Sequence, residues 1–339
     1  MATIYDIARE ANVSIASVSL VFNDPETKRV GKETRTRIQR VAKAMGYHPN
    51  AAAKALTEGK TRIIGLVIPM REPIFINPFI AEVLAGVQSS LMEHGYHLMI
   101  YSHQAATGRL TSMELNQSRQ VDGVIIVNTR MCTQADMEDT IRDLKRSKIP
   151  FVMVNGYRGR QKLNYVGVDD EEAGFTAADY LLRKGHRRIA IICGQTGSPI
   201  SDSLTTGFAR AHAKNGVPLQ PALQYDSNYD FSLTRQRLEE WFSSRQRPTA
   251  IFAADDHLLN TVFASIRSFG LNIPTDVAVL SRGSAAVAVS LTPTVTMIAI
   301  PAMEIGKRAG KLLIDTLQDS SRPVEKIILP GMIEPGESA

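Results

Sequence analysis

The chain has 339 residues, a formal net charge of +5 and two cysteines. This length suits two or three domains, no apolar run reaches the ~20 residues of a membrane span, and two cysteines are too few for a disulfide scaffold. Residues 1–62 hold eleven basic and six acidic residues, whereas the rest of the chain balances at 28 against 28. This basic module indicates contact with phosphates, with a solvated basic surface as the alternative.

The first segment, residues 4–23, predicts two helices joined by a tight turn. Apolar residues recur at helical spacing in the first helix, at Ile4, Ile7, Ala8 and Ala11. Asn12 suits the left-handed conformation of the turn, and Ser14 can cap the second helix. Val18 and Val21 give that helix its buried face. The pattern indicates a helix-turn-helix, which lays its second helix in a DNA major groove, although other small helical hairpins share it.

A third helix is predicted to begin at Gly31-Lys32 and to end at Gly46. Its apolar side is expected to consist of Ile38, Val41, Ala42 and Met45. Pro49 and the alanines after it then favour a short helix with almost no apolar face beyond Leu56. Such a helix is marginal on its own in water, so it fits an element that forms only when something holds it.

Beyond Ile63, short apolar runs alternate with helical segments. The runs are residues 63–68, 97–101, 123–127, 151–154, 189–193, 250–253 and 277–280. The helical segments are residues 79–94, 172–184, 256–269 and 302–317. This alternation predicts βαβ units with parallel sheets. About 280 residues exceed what one such sheet needs, so we expect two similar lobes with a ligand cleft at the carboxyl ends of the strands.

Ordered motifs along nearly the whole chain resemble the lactose-repressor (LacI/GalR) family of bacterial transcription regulators. The motifs are TIYDIAREANVSIASVS, RVGKETRTRI, GYHPNAAAKAL, TRIIGLVIP, NPFIAEVLAGV, VDGVIIV, GHRRIAIICG, RPTAIFAADD and LTPTVTMIAIP. The resemblance implies a homodimer whose headpieces bind a pseudo-palindromic DNA operator. It also implies a hinge helix inserted in the minor groove and a core that binds a small-molecule effector.

We therefore predict an α/β protein with a three-helix helix-turn-helix headpiece, a hinge helix and a two-lobed periplasmic-binding-protein-like core with parallel sheets. The expected boundaries are 1–48 for the headpiece, 49–60 for the hinge and 61–339 for the effector-binding and dimerisation core. The first lobe should contain about 61–160 plus 295–323, and the second about 161–294 plus 324–339. No leucine-rich heptads follow the last core strand, so we expect a dimer rather than a tetramer.

The resemblance also assigns DNA contacts in the headpiece. Residues expected to hold phosphates are Thr3, Tyr5, Ser14, Ser17, Ser19, Asn23, Thr34 and Tyr47. Ile15 and Ala16 occupy positions where relatives read bases, and as apolar residues they can favour thymine methyls. Leu20 stands where relatives usually have arginine, so the usual guanine contact is expected to be missing. Arg29 is a candidate for compensating it.

In the hinge, the resemblance assigns roles to Asn50, Ala53 and Leu56. A small Ala53 lets the backbone approach the floor of the minor groove, and Leu56 is the wedge that opens a base step and kinks the duplex. The alternative for Leu56 is a simple core residue.

The predicted effector pocket departs from the sugar-binding relatives. Leu204 replaces their arginine, Asp255 an asparagine, Gly283 an aspartate and Asn155 another common aspartate, while the apolar walls are kept by Phe79, Ile80 and Phe231. Losing these paired groups should cost a plain sugar much of its affinity. Arg282, Arg130 or Arg71 could supply a new cation if they face inward. The alternatives are a different metabolite, a neutral sugar in a new pose, or a degenerate core that works without a ligand.

Enzyme classes find little support in the sequence. The core has no GxSxG, HExxH or GxxxxGK[ST] motif, and its histidines are scattered without metal-ligand spacing, so we expect no catalysis, no cofactor and no metal site. The carboxylates at residues 169–172 more simply cap a helix. Cys132 and Cys193 are expected to be buried free thiols. Without a secretory leader the chain is predicted to be cytoplasmic, which counts against an exported receptor of the same core fold.

Overall fold

The structure is a computed structural model that describes residues 2–23, 27–48, 55, 59–68, 77–102, 120–159 and 161–339. The chain forms two compact units that divide between Arg62 and Ile63. The first is a helical headpiece, and the second is an α/β core whose described residues contain two six-stranded sheets. This confirms the predicted fold class. No helix among the described residues is long and apolar enough to cross a membrane.

Three helices form the headpiece, and their bounds are α1 (Ile4–Glu10), α2 (Ile15–Asn23) and α3 (Lys32–Ala44). The small core between them consists of Ile7, Ala8, Ala11, Val18, Val21, Val30, Ile38 and Ala42. Asn12 has a φ of 48° in the turn, and Ser14 accepts a hydrogen bond of 3.1 Å from the Ser17 N–H, so both local predictions are confirmed. Met45 differs from its prediction, because it follows the last turn of α3 and is exposed.

The core alternates strands and helices, as the apolar periodicity predicts. Its strands are β1 (Ile63–Ile68), β2 (His97–Ser102), β3 (Gly123–Val127), β4 (Phe151–Val154), β5 (Tyr165–Val168), β6 (Ile189–Cys193), β7 (Gln224–Asp226), β8 (Ala250–Ala253), β9 (Ala278–Gly283), β10 (Thr296–Ala299), β11 (Lys326–Leu329) and β12 (Met332–Glu334). Its helices are α4 (Pro78–Glu93), α5 (Gln134–Ser147), α6 (Asp170–Arg183), α7 (Pro199–Lys214), α8 (Phe231–Ser243), α9 (Leu259–Ser268), α10 (Ala285–Ala288) and α11 (Ala302–Gln318).

Each sheet is the centre of one lobe. The first has the strand order β11-β5-β4-β3-β1-β2 and is parallel throughout. The second has the order β12-β10-β9-β8-β6-β7, in which β12 alone runs antiparallel to its neighbour. Parallel strands put their carboxyl ends at one edge of a sheet, so the loops that follow them gather on one side of each lobe.

The chain crosses between the lobes after β5, β10 and β11. Each crossing lies one strand later than the predicted lobe boundaries, which assign β5 and β11 to the second lobe and β10 to the first. The difference has a simple cause. A short apolar run shows that a strand is present but carries no signal for the sheet that it joins.

Glycines allow a close helix pair in each lobe. A Cβ on Gly86 of α4 would collide with the backbone carbonyl oxygen of Met303 in α11, and a Cβ on Gly306 would meet the backbone of α4 in the same way. Gly174 of α6 and Gly207 of α7 form the equivalent crossing in the second lobe. These residues are therefore glycine because the neighbouring backbones touch there.

Candidate nucleic-acid interface and effector cleft

The start of α2 presents a small apolar surface to solvent. Ile15 is 42% exposed and Ala16 is also exposed, while Val18 and Val21 face the headpiece core. The orientation follows from the 3.6-residue period, which turns residues 15 and 16 away from residues 18 and 21. Both residues predicted to meet bases therefore lie on the open side of the headpiece.

The polar residues predicted to hold phosphates lie at or near the headpiece surface. The ring of Tyr5 is exposed. The Thr3 hydroxyl donates to the Asp6 carboxylate over 2.7 Å, within a capping box that fixes the start of α1. At the carboxyl end of α2, the Asn23 amide donates to the Ser19 hydroxyl over 3.1 Å. These bonds hold the side chains in place, while their phosphate contacts stay predictions.

Further polar candidates are distributed over the rest of the headpiece. Tyr47 packs its ring edge-on against Phe22, with centroids 5.4 Å apart, so part of the ring packs against the headpiece core. Thr34 is half-buried near the start of α3, and Arg29 is exposed. Arg29 is thus accessible to a duplex.

Leu20 has a packing role that its sequence position does not reveal. It is half-buried and contacts the headpiece core. The leucine that replaces the arginine of relatives therefore contributes apolar burial to this headpiece. Asn50, Ala53 and Leu56 of the predicted hinge lie outside the described residues, as does Arg71.

The cleft of the core encloses a narrow cavity of about 40 Å³ where the carboxyl ends of the two sheets face each other. From the first lobe the cavity is lined by Asn77, Phe79, Asn128, Thr129, Arg130 and Asn155. From the second lobe and its crossing segments it is lined by Ile200, Asp255, Asp256, Arg282, Gly283 and Ile300. Most of these residues end a strand or follow one directly, which is where ligands bind to α/β sheets.

An ion pair joins the two lobes across this cavity. Arg130, which follows β3, places Nη1 3.2 Å from Oδ1 of Asp255, which follows β8. The guanidinium also stacks over the ring of Tyr229, with Cζ 4.5 Å from the ring centroid. The Tyr229 hydroxyl donates to the other oxygen of Asp255 over 3.2 Å. Burial and the neighbouring Asp255 charge raise the pKa of the Tyr229 phenol, so the hydroxyl stays a donor.

A second arginine enters the cleft from β9. Arg282 pairs with Asp170, the first residue of α6, and both side chains are buried. Burial raises the pKa of Asp170, while the Arg282 charge and hydrogen bond oppose that shift. The prediction that the carboxylates at 169–172 cap a helix therefore holds for Asp169, which accepts a hydrogen bond from the Glu172 N–H over 2.9 Å. Asp170 instead pairs with Arg282.

Asp256 is the third carboxyl of the cleft. One of its oxygens accepts a 2.9 Å hydrogen bond from the Ser284 N–H. Burial, followed by the adjacent Asp255 charge, raises the pKa of Asp256 to about 7. Its carboxyl group also occupies the space that a Cβ on Gly283 would fill. A side chain at 283 and this position of Asp256 are thus mutually exclusive.

The predicted effector residues fall into two sets. Phe79, Asn155, Asp255 and Gly283 line the cavity, and their contact with an effector stays a prediction. The other three do not line it, which corrects their assignment: Ile80, Leu204 and Phe231. Ile80 and Leu204 lie in the hydrophobic cores of the first and second lobes, and Phe231 is an exposed residue at the start of α8. The apolar faces of their helices, rather than the cleft, determine where the side chains of Ile80 and Leu204 lie.

Other cleft residues were not predicted as contacts: Asp256, Tyr229, Asn128 and Thr129. Their signal is positional, because Asn128 and Thr129 directly follow β3 and Asp256 follows β8. Tyr229 lies in the loop after β7, where it and Asn228 have positive φ values of 59° and 46°. The carboxyl-end rule finds Asn128, Thr129 and Asp256, because β3 and β8 are predicted from the sequence, but it does not find Tyr229, because the sequence predicts no strand at β7.

Some reactive groups of the core are already engaged. The side chains of Asp255, Asp256 and His257 offer ligand atoms within 4.8 Å of one another. Both oxygens of Asp255 are bonded to protein groups, and the Arg130 cation lies beside them, which disfavours a metal ion. Cys132 and Cys193 are buried and not joined in a disulfide, as predicted, and burial raises the pKa of Cys193 to about 12, so it stays a thiol.

Two family models match the chain in chain order. Residues 3–50 match the model described as bacterial regulatory proteins of the lacI family, and residues 178–339 match the periplasmic binding protein-like domain. Catabolite control protein A of Priestia megaterium is 29% identical over 335 residues, covering 98% of this chain and 97% of that protein. The HTH-type transcriptional repressor CytR of Escherichia coli K12 is 28% identical over 319 residues, covering 94% and 90%.

Solved structures share the fold at lower identity. The lac repressor dimer bound to operator and the anti-inducer ONPF has a TM-score of 0.84, with 19% identity over 99% of this chain and 98% of that one. The complex of the transcriptional regulator CelR with cellobiose has a TM-score of 0.74, with 24% identity over the whole of both chains. The relatives are transcription regulators rather than enzymes. With its helix-turn-helix headpiece and two-lobed core, the chain is similar over nearly its whole length to bacterial regulatory proteins of the lacI family.

Proposed function

We propose that this protein is a cytoplasmic transcriptional repressor that binds a pseudo-palindromic operator as a homodimer and has no catalytic activity. The observation that carries the proposal is the outward face of α2, where Ile15 and Ala16 are exposed on a headpiece with an excess of basic residues. A helix presented in this way fits the major groove, and the surrounding charge supplies phosphate affinity.

The headpiece residues divide into two roles. Tyr5 and Asn23 are proposed to contact the phosphate backbone, which positions the module without reading sequence, whereas Arg29 is the candidate for the guanine contact that Leu20 cannot make. Ile15 and Ala16 are proposed to favour thymine methyl groups, because they offer no hydrogen bond to a base edge. Beyond the described residues, Leu56 is proposed as the minor-groove wedge.

The cleft is proposed to hold a small polar effector that changes DNA affinity. An effector shifts DNA binding only through its preference for one state of the cleft, and DNA must shift effector affinity by the same factor. The buried guanidinium groups of Arg130 and Arg282 support a polar ligand other than a plain neutral sugar. A neutral sugar in a new pose and a core without a ligand are the competing hypotheses.

Selection from a random pool of double-stranded DNA tests the proposal on the full-length protein at near-physiological salt. A palindromic motif of about 14–20 base pairs, tolerant of change at its centre, is the expected result for a dimeric operator binder. An unenriched pool, with binding that only falls steeply with salt, would leave phosphate affinity alone and refute sequence-specific binding.

Two matched variants separate the proposed roles. Tyr5→Phe should weaken binding to all sequences by a similar factor, because it removes a proposed phosphate contact. Ile15→Ser should instead change the selected base at one position of each half-site. If both variants alter the motif, or neither does, the division into positioning and reading residues is wrong.

A further inference from the structure

The wall of the cavity contains buried polar atoms without a hydrogen-bond partner among the described residues, two of them outside the Arg130–Asp255 pair. These two are Oδ1 of Asn155, on a side chain 2% exposed, and Nε of Arg282, on a side chain 6% exposed. Unsatisfied buried groups are rare in native proteins because each loses its hydration without a replacement. The first atom requires a hydrogen-bond donor and the second an acceptor, so a ligand that satisfies both carries both kinds of group.

The charges around the cavity do not balance. Two guanidinium groups, Arg130 and Arg282, face the three carboxyl groups of Asp170, Asp255 and Asp256. Each arginine is paired with one carboxylate, Arg130 with Asp255 and Arg282 with Asp170. With all five groups ionised, the cavity carries one excess negative charge, located on Asp256.

Asp256 lines the cavity and lacks the paired arginine that Asp255 and Asp170 each have. It makes no ion pair with a described residue, and the hydrogen bond from the Ser284 N–H is the one that its carboxyl group accepts within the described chain. Because Gly283 has no side chain, the carboxyl group lies against the backbone there and lines the cavity. A buried carboxylate without a cation is costly, so a cation bound beside it gains a strong partner.

We propose that the ligand of this cleft is a compact protonated amine that also carries an oxygen acceptor, of the amino alcohol or amino sugar class. The ammonium group binds the Asp256 carboxylate and donates to Asn155 Oδ1, and the oxygen accepts from Arg282 Nε. This inference rests on the proposed function, since it names the effector of the cleft described there. Such a ligand differs from a neutral sugar in its positive charge, which pairs with the Asp256 carboxylate.

Binding of such a cation is linked to a proton. Burial and Asp255 raise the pKa of Asp256 to about 7, against the opposing charges of Arg130 and Arg282. The other groups that face this part of the cleft are Tyr229, which stays protonated, together with His257 and Glu82. At pH 6.5 an ammonium ligand ionises the Asp256 carboxylic acid, whose proton goes to the buffer, while every covalent bond of the ligand is kept.

Isothermal titration calorimetry of the full-length protein tests the proposal with matched probes. The cations are ethanolamine and glucosamine, the neutral counterparts ethylene glycol and glucose, and the anions glycolate and glucuronate. At least one cation should bind ten-fold or more tightly than its neutral and anionic counterparts. Titrations at pH 6.5 in two buffers of different ionisation enthalpy should show proton release, and affinity should rise between pH 6 and 7 as Asp256 ionises.

Two variants complete the test. Asp256→Asn should lower cation affinity about ten-fold or more and abolish proton release. Asp143→Asn, which removes a half-buried carboxylate 3.9 Å from the exposed Arg146, should change neither. Tighter binding of the anions, an unchanged cation affinity in Asp256→Asn, or no binding by any cation would overturn the proposal. None of these results affects operator selection, so failure of the amine class is distinguishable from failure of the proposed function.

Discussion

The ion pair between Arg130 and Asp255 should be a measurable link between the lobes. We consider Arg130→Met, which keeps the volume of the side chain and removes its charge, and Asp255→Asn, which keeps the shape of the carboxyl group. The first leaves Asp255 buried beside Asp256, and the second leaves the Arg130 guanidinium without its counter-charge. In the double variant both charges are absent, so the two losses should not add.

The structure sets the size of the effect. At an effective dielectric of about 20, unit charges at the observed 3.2 Å attract by about 5 kcal/mol, which is an upper limit because both groups lose hydration. Removing one partner of a buried pair typically costs about 3–5 kcal/mol. We expect a cost near the lower end for Arg130→Met, and a coupling energy of about 2–3 kcal/mol from the double-mutant cycle.

Urea denaturation at pH 8 measures this coupling in the four proteins of the cycle. The single tryptophan, Trp241, reports on the second lobe because it is buried against the hydrophobic core there. A parallel cycle on the exposed pair Arg308–Glu304, with a 2.7 Å separation, serves as the control and should give about 0.3–0.5 kcal/mol.

The same experiment has a defined pH dependence. Without Arg130, the Asp255–Asp256 pair is two adjacent buried carboxyl groups that share one site, so the pair takes up a proton more readily. The cost of Arg130→Met should therefore shrink as the pH falls below about 7, where Asp256 is protonated. A coupling energy as small as that of the surface pair, or a cost independent of pH, would refute the reasoning.

Three further predictions concern the core and the hinge. Asp256→Asn should stabilise the protein, because the raised pKa of about 7 in the folded state means that ionisation of Asp256 opposes folding. In urea denaturation, the gain in the free energy of unfolding should grow from pH 4 to pH 7 and reach at most about 4 kcal/mol above pH 7. Gly86→Ala should cost about 1–3 kcal/mol or more in the same assay, because the new Cβ meets the α11 backbone, whereas Ala85→Ser on the exposed side of α4 should cost under about 0.5 kcal/mol. Leu56→Ala should weaken operator binding far more than non-specific binding in a filter assay, and equal losses in both would contradict its role as a wedge.

Local chemistry made the headpiece predictable. The left-handed turn at Asn12, the cap at Ser14 and the apolar spacing of Val18 and Val21 each specify a conformation independently of the rest of the chain. The alternation of strands and helices in the core was predictable for the same reason, because local sequence specifies each element. Four of its helices, α5, α7, α8 and α10, were missed, although Met137, Ile141 and Leu144 of α5 recur at helical spacing. Sheet membership was not predictable, because it depends on contacts between distant strands.

The cleft shows a different kind of gap. Positions carried over from relatives identified Asp255, Asn155 and Gly283 at the cavity, because strand ends fix where the backbone passes. They misplaced Leu204 and Ile80, because an apolar side chain on a helix turns to the lobe core when no charge holds it at the cleft. A matching position in the sequence thus locates a Cα but not the direction in which the new side chain points.

The replacements in the cleft make sense together rather than one at a time. Taken singly, the aspartate at 255 and the missing aspartate at 283 each indicate a lower affinity for a sugar. In the structure, Arg130 neutralises Asp255, and the Asp256 carboxyl fills the space that a side chain at 283 would need. A buried charge is stable only with its partner, so substitutions that change one group favour a second that restores the balance. The remaining negative charge is that of Asp256, which makes no ion pair with a described residue, so we expect a ligand cation to pair with it.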